Sequence, residues 1–303
     1  MEKLSNKETR EKLISKIKLH FFRHSIKGPK AEDDRFTQLS QKGRELAAER
    51  KIDVENKNLS TIVGTDRIRT QETAGIRKTG NSDLTVEEIM NETGLLGSPK
   101  AAIDNRLNFQ LDPNSETGKR MYEAFMKGKL VKYLVENSDD DVLEHGDFDK
   151  NTSYSKFAAN IAEIILGALR KGSDKWHRIY EAEQEREKQR KFPKGYTQSF
   201  EKLFGTHEGV LESFLAKVIE KTKGVEERTK FVEALENKGF DETEGFDMEI
   251  INDGDSKVMY ITYDKFDEKG NKIFSLDENI SEELLDKIVK EGSFFIDKNK
   301  KDI

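Results

Sequence analysis

The 303-residue chain contains no cysteine. Disulfides, thiolate nucleophiles and cysteine-ligated zinc or iron–sulfur centres are thereby excluded. No run of about eighteen apolar residues occurs, so no membrane-spanning helix is expected. The first residues, from Met1 to His20, are charged throughout and lack the apolar stretch of a secretory leader. Strong positive charge is missing as well. The formal net charge is -6, which gives no support to a nucleic-acid or anionic-membrane partner. There is no glycine loop of the Walker type, no dinucleotide fingerprint and no repeat of fixed period. The expectation is a soluble, cytoplasmic protein.

What the chain does have is a clustered apolar third, 34% hydrophobic against 37% charged, enough to build a core. The length fits one large α/β domain with insertions. Ile17, Leu19 and Phe21 alternate with Lys18, His20 and Phe22, the period of a strand. That strand runs out in a turn at Gly28-Pro29. Leu39 to Ala48 reads as a helix capped by Ser40, with Gly43 inside it for a close packing contact. Leu59 to Val63 is a second strand, ended by Gly64. Thr65 or Asp66 is placed to cap a helix through Arg69, Thr73 and Ile76. Leu84 to Ile89 is read as a third strand. The segment 90–149 carries Gly94, Gly97, Pro99 and Pro113, a helix-like run from Lys119 to Val135, and a solvated acidic loop from Asp139 to Asp149.

Thr152 or Ser153 starts a helix with Phe157, Ile161, Ile164, Ile165, Ala168 and Leu169 at helical spacing. An exposed helical extension follows past Trp176 to Lys191, ending before Pro193. Phe200 to Thr206 is a strand, and Val210 to Ile219 a helix. Met248–Ile251 and Val258–Tyr263 form a hairpin, and Ser281 caps a last helix with Leu284, Leu285 and Ile288. Alternating strands and helices predict a mainly parallel sheet covered on both faces, with the hairpin at one edge. The expected organisation is an N-terminal extension over 1–16, one domain over 17–265 with an insertion at about 90–150, and a C-terminal hairpin end and helix over 266–303.

Two strands end alike: Phe22 leads to Arg23-His24, and Thr206 leads to His207-Glu208. A third stops at Gly64 with Arg67 and Arg69 close behind. In open α/β sheets ligands bind beyond the carboxyl ends of strands. Parallel neighbours would bring two imidazoles and several cations to one sheet edge, with helix N-termini adding N–H donors. That constellation fits a phosphoryl dianion, whose transfer needs positioning, charge neutralisation and, on a covalent route, a nucleophile such as imidazole. Lys27 adds a second cation near Arg23, and Glu208 stands ready either as an acid or as a helix N-terminal carboxylate. Arg67 reads as a surface or supporting residue. His20, His145 and His177 have no partners at ligand spacing, and the 139–149 carboxylates lack EF-hand spacing, so no metal and no other cofactor is expected.

These pieces resemble the histidine phosphatase superfamily, which includes phosphoglycerate mutases, sugar-phosphate phosphatases, protein phosphohistidine phosphatases, acid phosphatases and phytases. The family opens on a strand ending Arg-His-Gly, here Arg23-His24-Ser25. A helix beginning like Leu-Thr-x-x-Gly follows, here Leu39-Ser40-Gln41-Lys42-Gly43. Its Arg-Ala-x-Gln-Thr-Ala run appears as Arg69-Thr70-Gln71-Glu72-Thr73-Ala74, and its second histidine as Thr206-His207-Glu208-Gly209. The matching blocks lie between Leu19 and Leu211. The resemblance implies a three-layer α/β sandwich with helical insertions. It implies His24 as a phosphorylated nucleophile, with Arg23, Arg69 and His207 on the phosphoryl oxygens.

In the acid phosphatase and phytase branch the proton donor directly follows the second histidine, the place of Glu208, and Lys27 matches a second basic position. In the mutase branch the acid lies after the third strand. Arg106-Leu107-Asn108 is similar to the run before it, but Phe109 replaces the glutamate, leaving Asp104, Glu92 and Glu88 as alternatives. Ser25 for glycine would either donate a hydrogen bond to the phosphate or narrow the pocket. The implied activity is hydrolysis of a phosphomonoester, on a small phosphorylated substrate or a phosphoprotein. The alternatives are mutase-like phosphoryl transfer and a non-catalytic phospho-ligand or protein-binding module. Specificity would come from 31–36, 90–149 and 176–196.

Overall fold

The computed structural model describes residues 13–91, 101–189 and 196–295; Glu92, Lys191 and Pro193 lie outside them. In chain order β1 (Ser15–Arg23) leads through a turn of 3-10 helix at Asp34–Phe36 to α1 (Gln41–Glu49), β2 (Ser60–Gly64), α2 (Ile68–Thr79), α3 (Val86–Asn91) and β3 (Ala101–Ile103). Then come α4 (Glu116–Met126), α5 (Leu130–Tyr133), α6 (Asp139–His145), α7 (Tyr154–Gly167), α8 (Ser173–Glu187) and β4 (Ser199–Thr206). The chain continues as α9 (Val210–Lys223), α10 (Val225–Ala234), β5 (Gly245–Asn252), β6 (Lys257–Phe266), β7 (Lys272–Asn279) and α11 (Glu282–Ser293).

The strands form one sheet in the order β3-β2-β4-β1-β5-β6-β7. The first four are parallel, and β5, β6 and β7 form an antiparallel wing beside β1. Strand alternation sorts the side chains between two helical layers. Leu19, Phe21, Phe204, Phe246 and Ile250 pack with residues of α7, α9 and α11. Phe22, Ile62 and Leu203 face the other way, against Ala74 of α2 and Ile89 of α3. The architecture is the expected three-layer α/β sandwich around a mainly parallel sheet centre.

Four expectations need correction. Leu84–Ile89 is not a strand. Thr85 and Glu88 form a reciprocal cap, in which Glu88 Oε2 accepts from the Thr85 N–H at 2.7 Å and Thr85 Oγ1 accepts from the Glu88 N–H at 3.2 Å. That cap starts α3, and the third strand is β3. Asp139–Asp149 is not a solvated loop. Asp139, Asp140 and Asp141 lie in α6, which continues from α5 through a π-helical turn at Leu134–Ser138. Asp141 is buried between Arg120 at 2.6 Å and the Tyr133 hydroxyl at 2.5 Å. The segment beyond 266 adds a full strand. β7 buries Phe274 and Leu276 in the main core, beside Leu285 and Ile288 of α11. The helix-like run from Lys119 is broken at Gly128, whose φ of 63° ends one helix before the next begins.

The first half of β1 carries Lys16, Lys18 and His20 on the face that no helix covers there. Each has an acidic partner: Glu249 at 2.5 Å, Glu55 at 2.6 Å, and for His20 both Asp247 at 2.7 Å and Glu201 at 3.2 Å. Burial alone would lower the His20 pKa, but the two carboxylates reverse this and raise it to about 9. A folded-state value above the ordinary 6.5 means stabilisation that is complete below pH 6.5 and lost as pH rises through 9. His20→Gln is therefore expected to flatten the fall in stability over that window. The contribution it removes is at most roughly 3 kcal/mol. Denaturant midpoints of both proteins across this range check it, and parallel curves would refute it.

Candidate functional site

β1 and β4 are parallel neighbours in register, Arg23 opposite Thr206. The ladder runs one step further, with the His24 N–H donating to the Thr206 carbonyl at 2.8 Å. The two residues that follow the strands, His24 and His207, are therefore forced together. Their ring centroids lie 5.3 Å apart, edge to face at 72°. The third component comes from α2. A Cβ at Gly205 would sit 2.2 Å from the Thr70 carbonyl oxygen, so only glycine lets the start of α2 lie this close to β4. That approach sets Arg69 against His24.

The hydrogen bonds fix the His24 tautomer. Arg69 Nε can only donate, so His24 Nε2, 3.3 Å away, accepts. Nδ1–H then donates to the Ser25 carbonyl at 2.7 Å. Burial chiefly, with the charges of Arg69, Arg23 and Lys27, lowers the His24 pKa to about 3 against the opposing bond to Ser25. His24 is thus a neutral imidazole presenting an Nε2 lone pair. Burial also drives the His207 pKa far down, helped by His24 and Arg69. Thr65, just past β2, holds His207 Nε2 at 3.1 Å and accepts from the Arg67 N–H at 3.1 Å.

Four cations surround the pair: Arg23, Lys27, Arg67 and Arg69. Burial lowers the Lys27 pKa, with Arg69, Arg23 and Arg67 adding to the effect and Asp34 opposing it. Arg23 donates to the Phe240 carbonyl and pairs with Glu208 at 2.9 Å and Glu242 at 3.5 Å, while its buried Nε has no partner. Asp34 lies across the arginines. Its Oδ2 meets Arg67 and, at 3.0 Å, Arg69 Nη2, and its carbonyl accepts from Arg69 Nη1 at 3.0 Å. A carboxylate thus holds two guanidinium groups where a larger anion would be held.

The sequence-predicted cluster of Arg23, His24, Lys27, Arg69, His207 and Glu208 is brought together. Ser25 turns its donors away from the cluster. Its hydroxyl donates to the Gly43 carbonyl at 2.7 Å and its N–H to Thr73 Oγ1 at 3.0 Å, so it has no free donor. Of the alternative acids, Asp104 pairs with Arg106 at 2.6 Å, and that hydrogen bond and charge outweigh burial to lower its pKa. The exposed Glu88 is lowered by its cap to Thr85. Glu208 moves the other way, raised by burial against the pull of Arg23.

Sequence reasoning missed Asp34, Thr65 and Glu212. Glu212 lies one turn beyond Glu208 on the buried face of α9, among Leu211, Phe214 and Leu215. Burial raises its pKa to about 7. Oε1 accepts from the Phe240 N–H at 2.7 Å, and Oε2 is buried without a partner. A glutamate on an otherwise apolar helix face was the available signal. Elsewhere among the described residues, Asp141, Glu144 and His145 bring potential ligand atoms within 4.8 Å, but Asp141 is already held by Arg120 and Tyr133.

Asp34 occupies both Nη atoms of Arg69, donors that a phosphate-sized anion entering here would compete for. Asp34→Asn is expected to tighten inhibition by inorganic phosphate or vanadate by roughly tenfold, the worth of one charge-assisted contact. Unchanged or weaker inhibition would show that Asp34 does not compete for the site.

No protein-family model matches the chain, and no curated protein matches it. Solved structures of similar shape include a mycobacterial glucosyl-3-phosphoglycerate phosphatase complexed with VO3, at 14% identity and TM-score 0.39, covering 78% of this chain and 92% of that one. The protein histidine phosphatase SixA complexed with tungstate matches at 12% identity and TM-score 0.31, covering 88% and 97%. The apo form of Hafnia alvei phytase matches at 10% identity and TM-score 0.33, covering 94% and 98%.

Proposed function

We propose that the protein hydrolyses phosphomonoesters through a phosphohistidine on His24. The observation that carries this reading is the neutral His24 with its Nε2 lone pair held beside Arg69 and His207 in a cation-rich pocket. Arg23, Lys27 and Arg69 bind the non-bridging phosphoryl oxygens, and the unpartnered Arg23 Nε is one donor waiting for them. Nε2 attacks phosphorus and forms the N–P bond. The ester P–O bond breaks, and Glu208 gives its proton to the departing oxygen. The Ser25 carbonyl supports the positive charge that develops on the ring through Nδ1–H.

Water then attacks phosphorus, Glu208 takes its proton, the N–P bond breaks and phosphate leaves with His24 neutral again. Glu208 is the acid because it is the candidate whose pKa burial raises. Hydrolysis of an aryl phosphate, with acid quenching to trap labelled protein, tests the reading. A protein that neither turns over nor labels with any phosphate ester offered would sink it.

A further inference from the structure

On the sheet face turned away from α2, a cavity of about 510 Å³ opens between β2, β4 and the α7–α8 helices. Arg23, His24, Lys27, Arg69, His207 and Glu208 do not line it. Its walls are mostly apolar, with Ile17, Val63, Ile164, Trp176, Phe200 and Phe204 among them, and Asp104, Arg106, Lys175 and Lys202 are the charged residues that line it. Protein interiors are normally close-packed, and a void of this size is that of a small-molecule site. The helical wall leaves it open: a Cβ at Gly167 would meet nothing within 4 Å.

The anomaly is Lys202. On β4 it shares a face with Phe200 and Phe204, because alternate residues point the same way. The pattern calls for an apolar residue there, and the chain places an ammonium group at the cavity wall. Lys175 joins it from α8. Among the described residues neither lysine makes an ion pair, while Arg106 at the same cavity is neutralised by Asp104 at 2.6 Å. Burial, with Lys175 adding to it and Asp104 at the same cavity only partly opposing it, lowers the Lys202 pKa, so the charge is held there at a cost that a directly paired counter-ion would relieve.

We propose that this cavity is a second ligand site for an amphipathic anion, an apolar body bearing one carboxylate or similar acid group, with Lys202 as its counter-ion. The apolar walls take the body, and Lys175 adds to the positive field.

Trp176, the chain's only tryptophan, lines the cavity and serves as the reporter. Decanoate titrated into the full-length protein is expected to change its fluorescence saturably. Decanol should bind roughly tenfold more weakly or worse, as the loss of one charged contact dictates. Decyltrimethylammonium should not bind. Lys202→Met, which keeps the apolar stem, should weaken decanoate by roughly tenfold and leave decanol unchanged. Gly167→Leu fills the open space with a better helix former and should weaken both ligands. The proposal is overturned if decanoate gives no saturable change, if decanol binds as tightly, or if Lys202→Met and Gly167→Leu both bind decanoate like the wild type.

Discussion

Replacing His24 with alanine is expected to lower aryl-phosphate hydrolysis by at least about 10⁴-fold and to abolish acid-trapped label, because on the proposed route it removes the nucleophile. The fold does not need the ring for its core: His24 sits at the sheet edge, and its backbone N–H, not its side chain, bonds Thr206. The loss should therefore come without loss of the folded state, which circular dichroism checks. His207→Ala makes the sharper comparison. It removes a neighbour of the phosphoryl group and leaves Nε2 of His24 in place, so turnover should fall while label still accumulates. Label persisting in His24→Ala would move the nucleophile elsewhere. Label that passes from wild type to an added alcohol in preference to water would favour the mutase-like alternative. Tight binding of phosphate esters with neither label nor turnover would favour the non-catalytic one.

The strand-end residues were legible because each belongs to a local pattern. Arg23-His24 and His207 follow strands marked by alternation, and Arg69 opens a helix behind a glycine stop. Parallel pairing then makes local position into proximity without further information. The packing role of Gly43 was legible for a similar reason. A Cβ there would stand 2.2 Å from the Ile26 carbonyl oxygen, so a glycine inside a helix did mark a close approach. The direction of the Ser25 hydroxyl was not legible, because its acceptor is the carbonyl of Gly43 on another element.

Nothing in the 31–36 segment singles out Asp34, because its partners, Arg67 and Arg69, lie beyond α1 and β2 in the chain. The segment 84–89 misled for a different reason. Thr85 and Val86 are β-branched and look strand-like, but the Thr85–Glu88 cap is worth more to a short segment than side-chain propensity. Lys202 was hidden inside a correctly read strand. Only the cavity in front of it makes a lysine between two phenylalanines informative.

Glu208→Gln is expected to slow an alkyl phosphate by about 10²–10³-fold and an aryl phosphate by less than about tenfold, since only the poor leaving group needs its proton. Without substrate, burial already raises the Glu208 pKa while Arg23 at 2.9 Å resists. Substrate should complete the shift. A phosphoryl dianion drawn to Arg23 neutralises the charge that keeps Glu208 ionised and adds negative charge of its own, and both effects raise the carboxyl pKa. Glu212 belongs to the same balance, because Glu208 is among the groups that raise it, so the two carboxyls resist ionising together.

The pH profile carries the same signature. An acid with a raised pKa gives a rate that falls as pH climbs through that pKa, and the fall should disappear in Glu208→Gln for the alkyl substrate. Asp104→Asn serves as the control. Asp104 is held ionised by Arg106, so its removal should leave both substrates within about threefold of wild type. A Glu208→Gln enzyme that turns over the alkyl ester normally, or an Asp104→Asn enzyme that loses it, would reassign the proton donor while leaving His24 as the nucleophile.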